Sequence, residues 1–316
     1  MNLVQQLVAR KLIHPPAWLP DNIHYLTIMR SNAYGVADDS DDEQISDLDL
    51  YGVCIPPRVC IPPREVVFPH LAGHVWGFGA YKEGMPKSHF GVFQEHHVQD
   101  ASARGGRGRE YDLQIYSIVK FVQLCMECNP NMIDSLFTPE TCVLHATRVG
   151  QLLRESRKLF LHQGICDRFK GYAYAQVHKM KTKEPQPGSK RAAIREKHGL
   201  DSKFAYHVVR LLNEAEQLLL EGDLDLQRNR EMLKSIRRGE WSADQILEYF
   251  EQKRVDLETA RTKSALPPGP DEAAIRGLLL RCLEMHYGTL DGAVGVPGHA
   301  EDALRRIRSL LDEGGF

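Results

Sequence analysis

The chain of 316 residues has no apolar run approaching the ~20 residues that a membrane-spanning helix requires. Its opening stretch, Met1 to Leu12, carries Arg10 and Lys11 after its apolar residues, the reverse of a secretory signal, and reads as a short amphipathic helix. The chain also lacks net charge: 40 Lys and Arg against 42 Asp and Glu leave −2. That excludes a global electrostatic footprint for nucleic acid, so such a partner has to be met by a local patch. Seven cysteines, an odd number without regular spacing, argue against a disulfide framework and for a reducing, cytoplasmic setting. Cys125-Met126-Glu127-Cys128 invites a zinc or redox reading, but it lies inside a helical pattern and needs Cys54 and Cys60 as partners. Buried structural cysteines are expected there. His96-His97 and the His70/His74 pair have no clear ligand set and are expected as surface or loop residues.

What the chain does have is a pattern of carboxylates. Asp47 and Asp49 stand two apart in a strand-like segment with Leu48, Leu50, Tyr51 and Val53. Alternation in a strand points both carboxylates the same way. Paired carboxylates on a rigid strand suit hard divalent cations such as Mg²⁺, which take oxygen ligands and leave room for substrate phosphates. Asp39-Ser40-Asp41 and Asp223-Leu224-Asp225 have the same spacing, so the pair alone decides little. Its surroundings add weight. Upstream, Ser31-Asn32-Ala33-Tyr34-Gly35 has the makings of a tight turn whose backbone and hydroxyl meet a phosphate. Downstream, Glu110, Asp112 and Gln114 alternate with Tyr111, Leu113 and Ile115, bringing a third carboxylate on a second strand.

These stretches resemble the DNA-polymerase-β-type nucleotidyltransferases, and more narrowly the bacterial and phage branch associated with RNA repair. The likeness is carried by Ser31 to Gly35, Ser46 to Pro57, Tyr111 to Phe137 and Lys197 to Leu212, within residues 20–250. It implies that Asp47 and Asp49 hold Mg²⁺ or Mn²⁺, that Asp112 completes the site, and that Ser31 touches the nucleotide phosphates. Two departures stand out. Arg30 takes the place of the usual glycine, loosening the turn or itself reaching a phosphate. The acidic spacer, Val36 to Ile45, is longer than the family pattern.

The organisation read from the chain is α/β (α+β): a mixed sheet with helices over residues 1–147, then an all-helical domain over residues 148–316, with a cleft between them. Helices are expected across 149–162, 167–180, 190–198, 202–221, 228–238, 243–261, 271–286 and 299–313. A perfect tandem repeat, Val53 to Arg58 and Val59 to Arg64, lengthens a loop because its prolines cannot serve a ladder. Residues 66–109 show little periodicity and end in a basic glycine-rich run read as a flexible loop or hairpin tip. In the helical half, Phe204, Val208, Leu211 and Ala215 make an apolar stripe, with Lys203, His207 and Arg210 on the adjoining face as candidate phosphate ligands. Tyr172, Tyr174 and Gln176 are read as lining the same cleft. The resulting expectation is metal-dependent transfer of a nucleoside monophosphate from a nucleoside triphosphate to a hydroxyl, an RNA or tRNA end by family analogy, with release of pyrophosphate. Transfer to a protein hydroxyl, or a silent nucleotide- or RNA-binding scaffold, are the rival readings.

Overall fold

Five segments with strand character build one mixed sheet. The structure, a computed structural model, describes residues 1–37, 47–57, 90–182 and 201–289, together with residues 74–75, 196 and 294–295. After helix α1 (Leu3–Ala9) come β1 (Ile23–Ile28), β2 (Leu48–Cys54), β3 (Val92–Asp100) and β4 (Arg109–Ser117). Then follow α2 (Ile118–Met126), α3 (Pro130–Phe137) and β5 (Val143–Ala146). The strand order is β3-β4-β2-β1-β5. β2 and β4 are parallel, and the other pairs are antiparallel. Every residue of the central β2 is buried, as a strand covered on both faces requires.

The two faces have separate covers. Leu48, Leu50, Cys54, Leu113 and Ile115 pack with Val4 and Leu7 of α1 into a small apolar layer. Tyr25, Tyr51 and Val53 face the opposite way, into a large core shared with the helices. Those helices are α4 (Arg148–Glu155), α5 (Ile165–Thr182), α6 (Ser202–Glu221), α7 (Arg230–Arg237), α8 (Ala243–Lys263) and α9 (Glu272–Tyr287). That core runs without interruption from the sheet into α9.

Local chemistry sets the ends of these elements. The Ser117 side chain accepts from the Lys120 amide and starts α2. Asn129 caps α3 with Pro130 in the first turn, so the Asn-Pro-Asn sequence both ends one helix and begins the next. Asp201 caps α6, and Gly222 closes it with φ +60°.

Two expectations need correcting. The helix expected across 149–162 ends at Glu155 and gives way to a 3₁₀ turn, Arg157–Phe160. Residues 92–100, read as lacking periodicity, form the edge strand β3. The basic glycine-rich run is the β3–β4 connection, a hairpin tip as expected, with Arg104, Gly105, Gly106 and Gly108 all at positive φ. The acidic spacer from residue 38, the second copy of the repeat, His70, most of the basic stretch from Lys183 to Lys197, and the helices expected at 190–198 and 299–313 lie outside the described residues.

Candidate active site

Parallel pairing fixes the carboxylates. Leu48 pairs with Tyr111, and Asp49 with Asp112, in an unbroken register. Adjacent strands run ~4.8 Å apart, so the two aspartates project side by side from one face. It is the face carrying Tyr51 and Val53, and so the face turned toward the helical half. Asp47 sits one residue ahead of β2, exposed at the mouth.

The carboxyl groups of Asp49 and Asp47 are electrostatically strained. Burial raises Asp49 to about 6, against the pull of Arg30 and Lys203 and with the repulsion of Asp112 and Asp47. Asp47 is also raised, first by partial desolvation and then by Glu110 and Asp112, although its side chain reaches solvent. Arg30 Nε lies 3.0 Å from Asp49 Oδ1. The contact is an ion pair without hydrogen-bond geometry, since that oxygen is buried and accepts no hydrogen bond. Clustered carboxylates with an orphaned buried oxygen form a donor set that fits a hard divalent cation.

Arg30 itself has φ +56°. The residue standing where a glycine is usual thus keeps the left-handed conformation that glycine adopts freely. Its guanidinium then bridges Asp49 and the Tyr51 hydroxyl. The turn that follows is closed by its own backbone: Tyr34 N–H donates to Arg30 O (2.9 Å), Gly35 to Asn32 O (3.1 Å) and Val36 to Ser31 O (2.9 Å). Gly35 has φ +65°, and a Cβ there would press on Gln227. The helical half holds the turn from outside, through Gln227 of the α6–α7 connection, Nε2 to Ala33 O (3.3 Å), and Arg237 of α7 to Val36 O (2.7 Å).

The three basic residues of α6 divide. Lys203 is exposed and close enough to lower both Asp47 and Asp49. His207 is driven well below its ordinary value, first by burial and then by Arg210, Lys203, Arg30 and Arg237. It therefore enters as a neutral imidazole, not as a third cation. Arg210 is no open phosphate ligand. It is buried, 2.6 Å from Asp134 Oδ2 and 2.8 Å from Glu214 Oε2, with its guanidinium 4.4 Å from the Tyr34 ring centroid. Tyr34 donates its hydroxyl to Asp134 at 2.7 Å, so this ion cluster fastens the turn to α3 and α6.

The sheet edge adds residues that sequence reasoning set aside. Register shifts between Glu95 and Val98, leaving His96 and His97 together opposite Asp112. This β-bulge puts His97 at φ +58° and aims its backbone N–H at Asp112 Oδ1 (2.8 Å). Its ring Nδ1 lies 2.5 Å from Glu110 Oε1, and the His96 ring 3.6 Å from Asp112. The hydrogen bond to Glu110, with Asp112 adding, raises His97 above its ordinary value. One signal was available: apolar Phe93 and Val98 are five apart, and that odd interval breaks period-two alternation as a bulge does.

The cysteine expectation holds for Cys125 and Cys128, both buried, with burial pushing Cys128 to about 12. Tyr172 and Gln176, expected to share a cleft with Lys203, His207 and Arg210, instead line a separate one of about 670 Å³ with His162, Arg168 and Lys179. Tyr174 does not: it is exposed and faces Phe250 of α8. Among the described residues one other constellation has metal-ligand spacing, Cys166, Asp167 and Glu258, and its carboxylates are paired with Lys170 and Arg261.

Residues 4–267 match the model of the RNA repair pathway DNA polymerase beta family (RlaP). The chain belongs to that family. Membership makes it one of the polymerase-β-like nucleotidyl-transfer proteins, and the mixed sheet bearing Asp49 and Asp112 is the part of this family member on which the carboxylates meet. No curated protein matches the chain. It is similar to a nucleotidyltransferase-like protein from Exiguobacterium sibiricum 255-15, whose crystal structure is at 1.90 Å resolution. The two share 8% identity over 92% of this chain and 75% of the other, with a TM-score of 0.26, and so faint a likeness carries no argument. The family match ends before α9. Among the described residues no helix is long and apolar enough to cross a membrane.

Proposed function

We propose that the chain transfers a nucleoside monophosphate from a nucleoside triphosphate to a hydroxyl at an RNA end, using divalent cations held by Asp47, Asp49 and Asp112. One observation carries the reading: Asp49 and Asp112 stand opposite each other on one sheet face, and a buried Asp49 oxygen accepts no hydrogen bond. Mg²⁺ or Mn²⁺, when bound, would polarise the α-phosphate and offset charge on the departing pyrophosphate. The acceptor oxygen bonds to the α-phosphorus as the bridge to the β-phosphate breaks.

The chain's own residues supply position and charge. The amides of Tyr34, Gly35 and Val36 are spent inside the turn, so its leading edge, Ser31 to Ala33, is what it offers a phosphate. Arg30 and Lys203 flank the carboxylates and neutralise phosphate oxygens, the electrostatic contribution that usually dominates such reactions. His207, neutral, donates a hydrogen bond to the triphosphate. Asp112 orients the attacking hydroxyl. RNA as acceptor rests on the family's link to RNA repair. A reducing, cytoplasmic setting fits its free, buried cysteines.

The test offers all four labelled triphosphates with total cellular RNA and Mg²⁺ or Mn²⁺. We expect label in RNA, sensitive to ribonuclease, and its loss in Asp47→Asn and Asp49→Asn chains that remain folded. Wild-type incorporation by either variant, or label that resists ribonuclease and yields to protease, would contradict the reading.

A further inference from the structure

The β-bulge places three ligand types where one ion can reach them. The His97 ring nitrogen, a Glu110 oxygen and an Asp112 oxygen all lie within 4.8 Å of one another. An ion with bonds of ~2.1 Å sets its ligand atoms roughly 3–4 Å apart, so only small side-chain movements are needed. A second observation lies alongside. Asp49, in register with Asp112, has a side chain only 9% exposed, and its Oδ1 lies 3.0 Å from Arg30 Nε without accepting a hydrogen bond. His97 is 77% exposed, so its imidazole is open to an incoming ion.

We propose that His97, Glu110 and Asp112 form a cation subsite of mixed nitrogen and oxygen ligands beside the Asp47–Asp49 pair, and that it takes Mn²⁺ in preference to Mg²⁺. Imidazole nitrogen suits first-row transition ions, whereas Mg²⁺ favours carboxylate and water oxygens. On binding, the ion takes the place of the hydrogen His97 Nδ1 shares with Glu110. Asp112 is common to both sets of ligands and so couples them. The inference deepens the proposed function and rests on it only for what the ion would do, because binding is measurable without turnover.

The test uses the full chain and Mn²⁺ alone, without nucleotide. Pulsed electron paramagnetic resonance reads ¹⁴N coupling to Mn²⁺, and the free-ion signal gives affinity. We expect ¹⁴N coupling in the wild type. It should persist in His96→Gln and vanish in His97→Gln, with Mn²⁺ affinity falling at least tenfold while calorimetric Mg²⁺ affinity changes less than twofold. Absence of ¹⁴N coupling in the wild type, which needs no variant, overturns the subsite, as does equal Mn²⁺ affinity in His97→Gln. The two readings separate cleanly. Nitrogen coupling without nucleotide incorporation supports the subsite and counts against the transferase. Incorporation without nitrogen coupling overturns the subsite alone.

Discussion

Asp49 is costly to keep. Its carboxyl titrates at about 6 in the fold and near 3.8 when exposed, so the unfolded chain ionises first as pH rises. The fold therefore loses stability between those values, by roughly 2–3 kcal/mol once both states are ionised. Asp49→Asn should remove that cost, raising unfolding free energy by roughly 2–3 kcal/mol at pH 8 and by nearly nothing at pH 4. Urea unfolding at the two pH values checks this, and a variant less stable than wild type at pH 8 would show a structural ion pair with Arg30 instead. A residue whose removal stabilises the fold while abolishing transfer marks a site held for function. Period-two alternation in the sequence set the face of this residue and of Asp112 on their own strands, and the family resemblance joined the two into one site. The sequence hid the role of His97, whose aim depends on one extra residue in an edge strand. The direction of the Arg210 guanidinium was equally hidden. Helical spacing puts it beside Lys203, but its partner Asp134 comes from a segment 76 residues away.

At the scale of elements, α6 carries two kinds of charge. Lys203 and His207 lie near its start, while Arg210 and Glu214 form the buried cluster with Asp134. Breaking a buried pair by removing one partner leaves an uncompensated charge and costs ~3–5 kcal/mol. Arg210→Met should therefore destabilise by ~3–5 kcal/mol in urea unfolding, while Lys203→Ala costs under about 1 kcal/mol and acts on nucleotide affinity. Equal losses from both would mean that Arg210 is not the fastening assigned to it. Helix α6 was readable in full from its stripe of Phe204, Val208, Leu211 and Ala215. β3 was not, since its burial pattern is mostly exposed and its alternation is broken by the bulge. An edge strand with one face in solvent carries little hydrophobic signal.

For the whole molecule, the closing contact is between β1 and α9. His24 Nε2 meets His286 Nδ1 at 2.9 Å, its Nδ1 meets the Thr147 hydroxyl at 2.8 Å, and Tyr287 donates to Pro56 O. Burial, then the charges of His286 and His145, lower His24 from 6.5 to about 4. The unfolded chain takes up its proton near pH 6.5 and the folded one only near 4. Stability from the neutral ring is thus complete above about 6.5 and is lost as pH falls to about 4, by roughly 3 kcal/mol. As pH falls across that window the melting temperature of the wild type should drop relative to that of His24→Gln, the opposing contribution of Asp49 being common to both; parallel curves would exclude His24 as the cause. No local pattern pairs residue 24 with residue 286, so this contact could not be read before folding.

The parallel run of β2 beside β4 also governs where the chain can grow. Parallel strands need a long return path, and a path that long does not set their alignment. A duplicated hexapeptide such as Val59 to Arg64 can accumulate between them without moving either aspartate. A single residue gained between Arg109 and Asp112 has the opposite effect. It turns the third carboxylate into the greasy layer beneath α1, so evolution can lengthen this protein freely in one stretch and not at all in its neighbour.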